Sequence, residues 1–131
     1  MRSVLGGLIA CVMALPVWAN GSLQMVRETP EERVEIDLSS IETAKGKGHA
    51  SFRERHTLLA GQVDPVSLRP IREVLIRQML DCRRRRIAQL SRAVFSSDDA
   101  MISYQAVQPR LAQWQPIAQK DPVYALVCGR S

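Results

Sequence analysis

Ile71-Arg72-Glu73-Val74-Leu75-Ile76-Arg77-Gln78-Met79-Leu80-Asp81-Cys82 runs through Arg83-Arg84-Arg85-Arg86 into Ile87-Ala88-Gln89-Leu90-Ser91-Arg92-Ala93-Val94-Phe95. The fold turns on how this stretch is read. Ile71, Val74, Leu75 and Met79 recur at helical spacing. The odd and even positions also fit a two-sided strand, with Leu75, Arg77, Met79 and Asp81 against Val74, Ile76, Gln78, Leu80 and Cys82. Leu, Arg, Gln, Met and Glu favour a helix, and no breaker follows Pro70. Residues 87–95 suit either state as well. Local pattern leaves both readings open.

The flanks are clearer. Arg33-Val34-Glu35-Ile36-Asp37-Leu38 alternates and reads as a half-buried strand. Asp37 with Ser39 and Ser40 reads as an Asx-turn, and Lys45-Gly46-Lys47-Gly48 as a flexible basic turn. His49–Leu59 reads as a second strand. Gly61–Pro70, with Asp64-Pro65 and Pro70, reads as a loop. Ser96–Asp99 is a turn and Met101–Val107 a further strand ended by Pro109. Asp121 is a good N-cap and Pro122 a good first helical residue. A short apolar helix follows through Cys128, with Gly129 suited to a left-handed close. So short a helix must dock to persist.

Upstream, residues 1–19 have the three parts of a signal peptide: Arg2 as the only charge, an apolar run from Val4 to Leu15, and Val17-Trp18-Ala19 before the cut. The run is too short to span a bilayer, and no other stretch is longer. Leu8-Ile9-Ala10-Cys11 also matches a lipobox, which makes lipid anchoring at Cys11 a minor alternative. The whole chain has 131 residues and a formal charge of +5. Without the first 19 it has 112 residues, 17 Lys+Arg against 13 Asp+Glu, and two cysteines. This is one domain's worth of chain and excludes a disordered or collagen-like protein. Export makes pairing of Cys82 with Cys128 the simplest reading, since no C-x-x-C spacing suggests redox or metal chemistry. Closing such a loop removes denatured-state freedom worth roughly 4 kcal/mol.

Ile36-Asp37-Leu38-Ser39-Ser40-Ile41, Leu80-Asp81-Cys82 with its basic run, Trp114-Gln115-Pro116-Ile117 and Leu126-Val127-Cys128 occur in an order and spacing that resemble the surface-adhesin protein E family. The resemblance covers about half of the exported chain. It implies a small antiparallel sheet with a C-terminal helix held by a disulfide, and so turns 72–82 and 85–95 into a hairpin. It also implies an adhesin-like binding protein. The Gly61–Pro70 loop looks like an insertion, and no ligand-binding segment of the family can be matched residue by residue.

Arg83, Arg84, Arg85 and Arg86 are the loudest local feature. With Lys45 and Lys47 they are the candidate ligand-binding residues, suited to anionic glycans or other polyanions. The alternative is a solvated turn at a charged sheet edge. On a strand, alternate arginines would face opposite sides, so two or three could address one surface. His49 and His56 are an odd number apart and face opposite sides of one strand, which argues against a shared metal site. Asp37-Leu38-Ser39-Ser40 lacks the setting of a nucleophile, and Asp98-Asp99 lacks a calcium-loop series. Trp114 and Tyr104 read as core aromatics.

The resulting expectation is an exported α+β protein, with about five to six antiparallel strands, a C-terminal helix and a Cys82–Cys128 bond. Residues 1–19 are a signal, 20–32 a flexible leader and 33–131 a single domain. It is expected to be non-enzymatic, without cofactor or metal, in the periplasm or at the outer surface. Its expected partners are host extracellular proteins or anionic glycans, not nucleic acid. The second reading is a structural or accessory periplasmic protein that self-associates, as a homodimer, and the third and weakest is a small hydrolase or metal-binding protein.

Overall fold

Both halves of the ambiguous stretch are strands. The structure, a computed structural model, describes residues 22–44, 46 and 48–129. The elements are β1 (Leu23–Glu28), β2 (Glu32–Ala44), β3 (His49–Val63), β4 (Pro70–Asp81), β5 (Arg86–Ser96), β6 (Met101–Ala106), β7 (Trp114–Pro116) and helix α1 (Pro122–Cys128). β1 to β6 form an antiparallel meander in chain order, and β7 pairs β5 beyond the end of β6. Chain 71–81 stays extended because β3 and β5 satisfy its backbone on both edges, from Ile71↔Gln62 to Asp81↔Arg86. That outweighs its local helix preference.

Burial follows the pleat. Ala50, Phe52 and Glu54 of β3 are buried, as are Val74 and Leu80 of β4. Helix α1 lies on this face. Its Val123 and Val127 close a core with Ile36, Ala50, Phe52 and Leu80. The helix has only seven residues, too few to stand alone in water. Three ties hold it. Cys128 is disulfide-bonded to Cys82, with Cα atoms 5.7 Å apart. The Tyr124 hydroxyl donates to the Cys82 carbonyl at 2.7 Å. The Asp121 carboxylate accepts from the Val123 amide at 2.9 Å and caps the first turn.

Several expectations need correction. Sheet makes up 62% of the described residues, against one seven-residue α-helix and a single 3-10 turn at Pro109–Leu111, so the α+β class gives way to a mostly-β one. Residues 23–28, expected in a flexible leader, form edge strand β1, with Val26 packed on the core. A register shift between Met25 and Arg27 hides its alternation. The Asx-turn at Asp37 forms as expected, but as a bulge inside the longer β2 rather than at a strand end. There the Asp37 carboxylate accepts from the Ser39 amide at 3.0 Å, and Ser40 Oγ accepts from the Arg53 amide at 2.8 Å. The strands take up both ends of Gly61–Pro70, leaving a turn in which Asp64 accepts from the Ser67 amide and Leu68 has φ 60°. Gly129 closes α1 in the right-handed region, with φ −71°. Residues 1–19, with Cys11, lie outside the described residues, as do Lys45 and Lys47.

Candidate ligand-binding site at the turn end of the sheet

The four arginines do not alternate along a strand. Residues 82–85 are the β4–β5 turn, and Arg86 begins β5. Arg83, Arg84 and Arg85 are exposed, and Arg86 is half-buried. Asp81, 3% exposed, organises the turn. Its Oδ1 accepts from the amides of Arg83 and Arg84 at 3.2 and 3.0 Å. Its Oδ2 takes the Arg86 guanidinium at 3.4 Å and lies 3.5 Å from His49 Nε2. Burial works to raise the Asp81 pKa. The Arg84 amide, Arg86 and His49 outweigh it and hold the carboxyl below its ordinary value. One buried carboxylate thus fixes a turn that would otherwise repel itself.

The β2–β3 turn lies alongside. The Cys82 amide donates to the Gly48 carbonyl at 2.9 Å. Gly48 has φ 69°, and a Cβ on it would meet the Arg83 side chain at 2.9 Å. The two basic turns therefore share one end of the sheet, although Lys45 and Lys47 themselves are not described. Arg85 has φ 51°. Its carbonyl accepts from the Ile117 amide, and its guanidinium reaches Gln119 at 3.5 Å, tying the turn to the segment after β7.

Sequence reasoning placed Trp114 in the core and did not connect it to this turn. Trp114 is half-buried on β7, beside the start of β5. Arg86 stands over its ring at 5.0 Å, and the His49 ring lies 5.4 Å away, tilted by 47°. A cavity of about 490 Å³ is lined by Glu42, Thr43, His49, Ser51, Arg110 and Trp114, among others. A second, of about 360 Å³, is lined by Gly46, His49, Asp81, Arg83 and Arg84. His49 borders both. The only local sequence signal was an acid two residues before a basic run. The rest is brought in by β3 and β7.

His56 lies on the opposite face from His49 and has its own partners. Its Nε2 is 2.9 Å from Glu54, a carboxylate only 5% exposed, and its Nδ1 is 3.3 Å from Glu32. The Glu54 hydrogen bond, against the opposing effect of burial, raises the His56 pKa above its ordinary 6.5. Protonated His56 stabilises the fold fully below pH 6.5, and this contribution fades as pH rises through its folded pKa. The lowered Asp81 contributes above pH 3.8, and its share is lost as pH falls through its folded pKa. Stability should peak between these limits. Urea midpoints measured above pH 6.5 should fall with pH, and His56→Gln should flatten that limb. A parent midpoint constant up to pH 9 would contradict this.

Among the described residues no group of three His, Cys, Asp or Glu side chains could hold a metal ion, and no helix is long and apolar enough to cross a membrane. The meander, the pinned terminal helix and the cationic turn beside the bond define a class of small disulfide-stapled β domains. The chain belongs to the surface-adhesin protein E family, whose model matches residues 23–129. Solved structures of similar fold include Haemophilus influenzae protein E, at 16% identity and TM-score 0.59, covering 90% of this chain and 92% of that one. Protein E from non-typeable Haemophilus influenzae matches with the same identity and TM-score, over 89% of this chain and 82% of that one. No curated protein sequence matches.

Proposed function

We propose that this protein is an exported, non-enzymatic binding protein of the cell envelope or surface, and that it meets an anionic partner through the turn end of its sheet. Family membership supports an adhesin-type role. The observation that carries the ligand reading is the position of Arg83, Arg84 and Arg85, exposed on a turn fixed by buried Asp81 and joined to the second basic turn at Gly48. A pre-set cationic surface loses little freedom on binding. Its attraction is electrostatic and weakens with salt.

Heparin chromatography tests this. Arg84→Ala and Arg85→Ala leave the Asp81 hydrogen bonds to the turn backbone in place. Each is expected to weaken low-salt binding about fivefold, since a cation beside a charged surface contributes about 1 kcal/mol. Elution of both variants at the parent's salt concentration would remove these residues from the reading.

A further inference from the structure

The two cavities at His49 differ in chemistry from a simple cationic patch, and the difference bears on what they hold. The larger one combines an aromatic ring, Trp114, with the hydroxyls of Thr43 and Ser51, the carboxylate of Glu42, the guanidinium of Arg110 and the imidazole of His49. The smaller one, across His49, carries Arg83 and Arg84. We propose that this paired cleft is a saccharide site, seating one sugar ring against Trp114 and directing the acidic group of that or the next ring to Arg83 and Arg84. This deepens the anionic-partner reading above and rests on it.

The chemistry selects among polyanions. A pyranose ring presents C–H bonds on its faces, and these suit the electron-rich face of an indole. Its rim presents hydroxyls, which both donate and accept, matching Thr43, Ser51, Glu42 and Arg110. Glu42 would repel a phosphate chain, whereas a sugar hydroxyl donates to it. A lipid surface would call for exposed apolar side chains beside the cations. The cleft wall does include Ala44, Met79 and Pro109, but it sets the Glu42 carboxylate and the Thr43 and Ser51 hydroxyls among them, where an anionic headgroup would be repelled. The volume, about 490 Å³, lies within the usual range for small-ligand pockets. The cleft is also pre-organised. Asp81 contacts both Arg86 and His49; Arg86 stands over one face of the Trp114 ring and the tilted His49 ring lies beside it.

The test uses the intact protein with three probes: a heparin tetrasaccharide, inorganic polyphosphate and phosphatidylglycerol vesicles. The chain has only two tryptophans, Trp18 and Trp114, so intrinsic fluorescence reports on the cleft, and Trp114→Phe assigns the signal. The tetrasaccharide should change Trp114 emission. Trp114→Ala and Arg110→Ala should each weaken its binding about three- to tenfold. Arg110 is exposed, so its substitution keeps the test usable if Trp114→Ala fails to fold. If both variants bind the tetrasaccharide as the parent does, or if polyphosphate or vesicles bind the parent as tightly, the saccharide site is overturned. The anionic reading would still stand if Arg84→Ala and Arg85→Ala weaken heparin retention. If the parent binds no probe, both readings fall.

Discussion

Replacing Cys82 and Cys128 together by serine is expected to lower stability by about 2–5 kcal/mol, the usual range for a small disulfide-bonded domain. Natural domains have only about 5–15 kcal/mol in all, so the variant should sit near the threshold of folding. The physical cause is the length of α1. Seven residues cannot hold a helix in water, and the bond keeps those residues close to their docking site. When the tether is cut, the Tyr124 bond to the Cys82 carbonyl and the Asp121 cap must act alone. Undocking would expose Ile36, Phe52 and Leu80, each at most 1% exposed in the native fold. Urea denaturation of the double variant, with far-ultraviolet dichroism as a second probe, reads the effect. A midpoint equal to the parent's would show that the apolar contacts alone hold the helix.

Phe52→Ala is expected to cost about 3–5 kcal/mol, comparable to the loss of the disulfide. Phe52 is the largest fully buried side chain, and it lies in the core that α1 covers. It pairs Gln78 of β4 on one side and lies opposite the Asp37–Glu42 bulge of β2 on the other, and the paired strands β3 and β4 and the disulfide-tied α1 enclose it. They have little freedom to collapse into the space left behind. Val66→Ala makes a control: Val66 is 91% exposed at the β3–β4 turn, and its truncation should change stability by no more than about 0.5 kcal/mol. Equal midpoints for the two variants would place the core elsewhere.

The C-terminal helix and β2 were the more legible parts of the fold. Asp121-Pro122 announces a helix start by capping chemistry alone, and the structure has the cap as expected. Val34 and Ile36 alternate because only one face of β2 is buried. Residues 71–82 gave no such signal. Val74 and Leu80 face the core, while Leu75 is apolar on the other side at 36% exposure. With apolar residues on both faces, the two-residue and helical periods overlap, and only pairing with β3 and β5 separates them. β1 was missed because a bulge interrupts its period within six residues.

The site was legible only as charge. The arginine run was evident, but its geometry was not: a turn aims three arginines outward where a strand would have split them between faces. Asp81, His49 and Trp114 come from chain segments more than 30 residues apart, and no local spacing links them. Glu54 was hidden for a different reason. Between Arg53 and Arg55 it reads as one more surface charge. Its burial depends on the pleat turning it to the face that α1 partly covers, where His56 meets it.

The Cys82–Cys128 bond also governs how the chain answers a mechanical load. It closes β5, β6, β7 and α1 into a covalent ring and leaves β1 to β4 outside it. Pulled by its ends, the chain can unzip the first four strands, but the 46-residue span of the ring, about 150 Å of extended chain, stays locked. The cationic turn lies at the mouth of that ring. In the binding mode proposed above, tension entering at Arg83–Arg85 would meet a sulfur–sulfur bond within a few residues. The edge that carries the arginine turn is the part of the protein least able to unravel.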